Sequence, residues 1–114
     1  MAGAPRLICA AADLVEGGRG VRFELDVGGA TAPAFVVRWR GVPRAYLNRC
    51  AHVPMQIDWR PGEFFEAQGL YLICSTHGAL YDPATGICVD GPCRGRALVP
   101  LSVIEMDGQI FSSF

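Results

Sequence analysis

Cys50-Ala51-His52 and Cys74-Ser75-Thr76-His77 hold two cysteines and two histidines, and those histidines are the only two in the 114-residue chain. Each imidazole lies within three residues of a cysteine. In so His-poor a sequence a shared task explains this better than composition does. Thiolate and imidazole are both ligands for soft and borderline metals, and each stretch places one of each on a single tight loop. Two such loops facing each other can grip a metal centre. Spending two cysteines in this way also accommodates an odd total of five, which a fully paired disulfide framework does not.

Two kinds of centre fit two Cys and two His: a tetrahedral structural zinc, or a [2Fe–2S] cluster with cysteines on one iron and histidines on the other. Structural zinc sites space paired ligands two to four residues apart, and Cys50-x-His52 is tighter than that. In a two-iron cluster each loop gives its Cys to one iron and its His to the neighbouring one, so a short Cys-x-His bite is natural. Buried thiols and satisfied core imidazoles, with no metal at all, would leave the matched pair of loops without a cause.

The remainder of the chain must bring these loops together. Leu7-Ile8-Cys9-Ala10 is a short apolar run that opens a strand, and Gly17, Gly18 and Gly20 punctuate the segment after it. Val21 to Val27 alternates apolar and charged residues, the period-2 pattern of a half-buried strand. Ala34 to Arg40 is β-branched and aromatic, and Arg44 to Asn48 is its hairpin partner across Gly41-Val42-Pro43. The stretch from Val53 to Gly69 is irregular, with Phe64-Phe65-Glu66 as one short strand within it. Leu70 to Ile73 then runs straight into Cys74. Ala79 to Asp82, Ile87 to Val89, Leu98 to Leu101, Val103 to Met106 and Gln109 to Phe111 are further strands, with Asp107-Gly108 as a hairpin turn between the last two. No window carries a sustained helical apolar stripe. Short strands at roughly eight- to twelve-residue intervals predict an all-β sandwich or barrel, with both metal loops at strand ends.

Bulk properties bound the function. The length fits one domain, 1–114, with a core. Hydrophobic residues make up 51% of the chain, which excludes a disordered one. The formal net charge is −1, so no basic field draws the protein to nucleic acid or an anionic membrane. All ten basic residues are arginine, which reads as compositional bias. Residues 1–8 show neither an apolar signal core nor a twin-Arg pair, and no apolar run approaches the roughly 20 residues that span a bilayer. A cytoplasmic protein is the expectation. With both histidines committed to metal, no Ser–His–Asp or Cys–His nucleophile remains, and no Gly-rich phosphate loop joins a strand to a helix. A mononuclear oxygenase iron would need further histidines.

Cys50-x-His52 followed by Cys74-x-x-His77-Gly78 resembles the Rieske [2Fe–2S] family. The resemblance continues through Ala79-Leu80-Tyr81-Asp82, Thr85-Gly86, Gly91-Pro92 and Leu98 to Leu101, so that it spans roughly residues 44–106. The 21 residues between His52 and Cys74 exceed the family's usual gap by a few, placing an enlarged loop around Asp58 to Gly69. The resemblance implies a Rieske-type antiparallel β-sandwich. Its base would be about residues 5–48 and 86–113, and its small cluster-binding part about 49–85. One cluster would be bound, Cys50 and Cys74 on a buried iron and His52 and His77 on an outer one, with Gly91 and Pro92 forming a loop that packs over it. Tyr81 matches the family's tyrosine that bonds a ligand thiolate. The respiratory members' extra loop thiols are missing, and Ala79 stands at their serine position, so a low to low-intermediate potential is expected.

The implied role is one-electron carriage from a flavin-dependent reductase to a terminal enzyme such as an aromatic-ring oxygenase, with no enzymatic activity on this chain. A redox- or iron-sensing accessory module holding the same cluster is the alternative. Cys88 and Cys93 flank Asp90-Gly91-Pro92 at a spacing that permits a small disulfide, yet a cytosolic setting predicts two free thiols. Cys9 reads as a small buried hydrophobe, Trp39 and Trp59 as packing residues. Arg94 and Arg96 follow the proline loop, either near the cluster tip or on a solvated turn.

Overall fold

Ala34-Phe35-Val36-Val37 is an unbroken apolar run within a strand, and all four side chains are fully buried. Successive side chains on a strand point to opposite faces, so such a run needs cover on both sides. The computed structural model, which describes residues 6–27, 29–51, 55–58, 60–74 and 78–112, supplies it. Phe35 and Val37 enter one core together with Tyr46, while Val36 enters a second with Ala45. The register agrees, since Phe35 lies opposite Tyr46 and Val36 opposite Ala45. Each fully buried side chain of this kind stabilises the fold by roughly 1.5–3 kcal/mol.

The central sheet contains β2 (Val21–Val27), β3 (Ala30–Trp39), β4 (Val42–Leu47) and β8 (Pro100–Leu101), in the order β2-β3-β4-β8. A second sheet joins β1 (Arg6–Ala10), β9 (Val103–Met106) and β10 (Gln109–Ser112) in the order β1-β10-β9. Ile8, Cys9, Val103 and Ile110 from these strands pack with Leu14, Val36 and Ala45. A third, small sheet consists of β5 (Leu72–Ile73), β6 (Leu80–Tyr81) and β7 (Cys88–Asp90). It contributes Leu72, Tyr81 and Cys88 to the Phe35 core on the other face. Every strand pair is antiparallel.

The all-β antiparallel architecture matches the expectation from sequence. The only helical element among the described residues is a 3-10 turn at Ala11–Asp13, and no helix there is long and apolar enough to cross a membrane. Asp107-Gly108 makes the expected tight hairpin, both residues with positive φ as a type I′ turn requires. The β3–β4 turn differs by a residue or two. Arg40 and Gly41 take the positive φ values, and β4 begins at Val42. Glu16 holds that turn by accepting the Arg40 and Gly41 amides at 2.6 Å each. The strand expected at Phe64–Glu66 is reduced to a single bridge between Phe65 and Leu72. Phe64 is instead a core residue, its ring stacked on Phe35 with centroids 4.1 Å apart.

Candidate metal centre

Cys50 follows β4, and Cys74 follows β5. The two thiol-bearing residues are 3% and 0% exposed and share one core with Ala79, Tyr81, Cys88 and Cys93. The Cys50 loop folds back on itself through the Cys50 amide, which donates to the Met55 carbonyl at 2.7 Å. The Cys74 loop closes through two bonds: the Gly78 amide donates to the Cys74 carbonyl at 2.8 Å, and the Cys74 amide to the Ala79 carbonyl at 2.9 Å. Gly78 takes φ +71°, a turn conformation that side chains resist. His52 and His77 lie outside the described residues, as do Trp59 and the Val53-Pro54 and Ser75-Thr76 pairs.

Tyr81, on β6, ties the Cys50 loop to the small sheet. Its hydroxyl lies 3.3 Å from Cys50 Sγ and accepts the Ala51 amide proton at 3.1 Å. A phenol has one proton to give; with Ala51 as donor to its oxygen, that proton is directed at the Cys50 sulfur. Burial first, then the Cys50 hydrogen bond and the charges of Cys50 and Cys74, hold the phenol well above its ordinary pKa, against a smaller opposing pull from the Ala51 amide. Tyr81 therefore stays a neutral donor, and both thiols lie within electrostatic reach of it. Two buried thiols around one donor suit the two-thiolate end of a [2Fe–2S] centre, where hydrogen bonds to sulfur offset accumulated negative charge.

Gly91 and Pro92 sit beyond β7, both exposed. A Cβ on Gly91 would come within 2.9 Å of Ala79 Cα, and its φ is +99°. Gly91 is thus needed for close approach of the proline loop to the Cys74 loop. Ala79 offers only a methyl group at this contact. Farther along, Tyr46 ties the β6–β7 turn to the base by donating to the Pro83 carbonyl at 2.7 Å, and burial pushes its phenol up to about 12.

Cys88 and Cys93 correct the expectation of free thiols. They form a disulfide, both residues nearly fully buried. The geometry comes from the strand and the turn after it: the Cys88 amide donates to the Arg96 carbonyl at 2.8 Å and the Arg96 amide to the Cys93 carbonyl at 2.8 Å, leaving the Cα atoms 5.9 Å apart. That separation lies within the range a disulfide spans without backbone movement. Cys9 is half-buried against the second core, where burial raises its thiol pKa ahead of a smaller push from Asp13.

The structure adds residues that the sequence did not single out. Asp58 is buried and accepts from Asn48 Nδ2 at 2.7 Å and the Gly62 amide at 3.0 Å, while Arg22 Nε pairs with it at 3.0 Å. Asn48 Oδ1 accepts the Ile57 amide at 2.9 Å. Gln56 bridges Arg22 and Asn48. The segment after the Cys50 loop is thereby tied to β2 and to the end of β4. The only sequence signal was a set of ordinary polar residues far apart in the chain.

A family model for the Rieske [2Fe–2S] domain matches residues 5–106. No curated protein matches the chain in sequence. Among solved structures, the ferredoxin of carbazole 1,9a-dioxygenase from Nocardioides aromaticivorans IC177 superimposes with a TM-score of 0.73 at 25% identity, covering 97% of this chain and 98% of that one. The Sphingomonas yanoikuyae B1 ferredoxin gives 0.72 at 19%, covering 97% and 99%. The terminal oxygenase of the Nocardioides carbazole 1,9a-dioxygenase gives 0.72 at 21%, over 95% of this chain and 29% of its own.

Proposed function

The chain belongs to the Rieske [2Fe–2S] domain family, and from that premise we propose that it is a one-electron carrier between a flavin-dependent reductase and a terminal oxygenase or similar redox enzyme. Its cofactor is one [2Fe–2S] cluster. Bound here, that cluster supplies a reversible one-electron site. In this reading Cys50 and Cys74 hold one iron and His52 and His77 the other, within a single domain whose cluster-binding part is about 49–85. Tyr81 donates to the Cys50 sulfur, and Gly91-Pro92 shields the Cys74 loop.

The observation that carries the reading is the pair of buried thiol-bearing residues gathered around Tyr81 beneath the proline loop. The end-to-end likeness to a dioxygenase ferredoxin supports the carrier role over the sensing alternative. Anaerobically purified protein is expected to be brown, to contain equimolar iron and sulfide, and to bleach on reduction. Cys50→Ser, Cys74→Ser, His52→Ala and His77→Ala should each abolish that spectrum. A colourless, zinc-containing protein overturns the reading. Rapid turnover between a reductase and an oxygenase is the carrier's signature; redox-dependent partner affinity without turnover would assign the sensor instead.

A further inference from the structure

The loops that surround the thiol pair carry a net basic excess. Segments 49–57, 72–81 and 88–98 contain Arg49, Arg94 and Arg96 but a single acidic residue, Asp90, in a chain whose net charge is −1. The rest of the chain is correspondingly acidic. All three arginines are exposed, and among the described residues none forms an ion pair with a carboxylate. Asp90 is exposed as well, with one carboxylate oxygen engaged by its own loop, its Oδ1 accepting the Gly91 amide at 3.0 Å. Arg96 reaches over the Cys50 loop to donate to the Ala51 carbonyl at 3.4 Å. Arg94 stands two residues away, on a turn closed by its amide to the Gly91 carbonyl at 3.3 Å. On the far side of Cys50, Arg49 borders an open groove of about 490 Å3 lined by Pro33, Leu47, Met55 and Gln56. Met55, 40% exposed, and the exposed Pro92 give the same end apolar area.

We infer that this end of the molecule docks a redox protein whose contact face is apolar and studded with carboxylates, with Arg49, Arg94 and Arg96 as the recognition groups. The inference rests on the electron-carrier reading and adds the partner's chemistry to it. Guanidinium groups pair with carboxylates bidentately, fixing orientation as well as attraction. Complementary charge at a docking face raises association rates and sets their salt dependence more than it raises affinity. With almost no net charge, the molecule would be steered by this local asymmetry, so that the cluster end turns toward an acidic partner on approach.

Two measurements test it. At neutral pH and low salt, the protein should be retained on a carboxymethyl matrix despite its net negative charge. Arg94→Gln/Arg96→Gln should pass through, while Arg6→Gln/Arg40→Gln, an equal change in net charge elsewhere, should still be retained. Equal behaviour of the two double variants overturns the proposal. In the second, the reduced cluster-bearing protein is oxidised in stopped flow by ferricyanide, an anion, or by tris(phenanthroline)cobalt(III), a cation. Ferricyanide oxidation should slow as salt is added. Arg94→Glu/Arg96→Glu should cut its low-salt rate about tenfold or more and reverse that salt dependence, leaving the cobalt complex the faster acceptor. Rates that ignore the acceptor's charge sink the docking face alone. Failure to pass an electron to either acceptor sinks the carrier reading, and the docking face with it.

Discussion

Tyr81 holds the Cys50 loop with one hydroxyl, accepting from Ala51 and directing its proton at Cys50 Sγ. Phe at this position keeps the ring in the core and removes both bonds. A hydrogen bond to sulfur favours the form with more negative charge, which is the reduced one. The loss of about 1 kcal/mol, borne in full by that form, equals about 40 mV for one electron. Tyr81→Phe is therefore expected to lower the potential by up to about 40 mV, as read by voltammetry, with the visible spectrum kept. A raised or unchanged potential would mean that the hydroxyl serves Ala51 alone. The candidate site could be read at this scale because cysteine and histidine are rare and their chemistry narrow; the structure gathers Cys50 and Cys74 in one core, while His52 and His77 lie outside the described residues. Asn48, Asp58 and Arg22 were not legible. Polar residues of common type become a buried network only when the fold places them together, and β2 and the loop after Cys50 are adjacent only in three dimensions.

At the scale of elements, the β6–β7 turn is where the small sheet locks onto the base. Gly86 takes φ +79°, and a Cβ there would lie 2.7 Å from Tyr46 Cε1, a ring held in place by its bond to Pro83. Gly86→Ala meets both a disfavoured backbone conformation and a ring that cannot retreat. The expected cost is about 2–4 kcal/mol in urea unfolding; a change below about 0.5 kcal/mol would show the turn to be plastic. Strands were read well where a face is buried or half-buried, as at Val21–Val27 and over Ala34–Trp39; residues 30–33, which open the second of these strands, are largely exposed and carry no apolar run that would mark them. The Phe64–Glu66 expectation failed because a run of aromatics satisfies a core as readily as a ladder, and Phe64 packs on Phe35 instead. The Cys88–Cys93 disulfide departs from the expectation for a different reason. A cytosolic setting favours free thiols whatever their spacing, and the turn that brings the two Cα atoms together leaves no periodic trace in sequence.

For the whole molecule, that disulfide closes a short ring in the Phe35 core, where it braces the proline loop. Closing a loop of this size stabilises a fold by about 2 kcal/mol through the unfolded chain. Cys88→Ser/Cys93→Ser, or wild-type protein in dithiothreitol, is thus expected to melt several degrees lower, with the reductant having no effect on the double variant. An identical melt with and without reductant would show that the bridge adds nothing to stability.

The chain leaves the base at Leu47 and returns at Val99, and the two residues are hydrogen-bonded to each other, Leu47 amide to Val99 carbonyl, at 3.0 Å. From the standpoint of the base strands, everything between is one long detour through a doorway already shut. Doubling the length of such a detour costs only about 0.6 kcal/mol of closure entropy. Within the extended stretch between His52 and Cys74, Ile57, Asp58 and Phe64 are held by the core and by Arg22 of β2, so a change of length is absorbed at the exposed turn around Ala67 and Gln68, where the β2-β3-β4-β8 sheet need not respond.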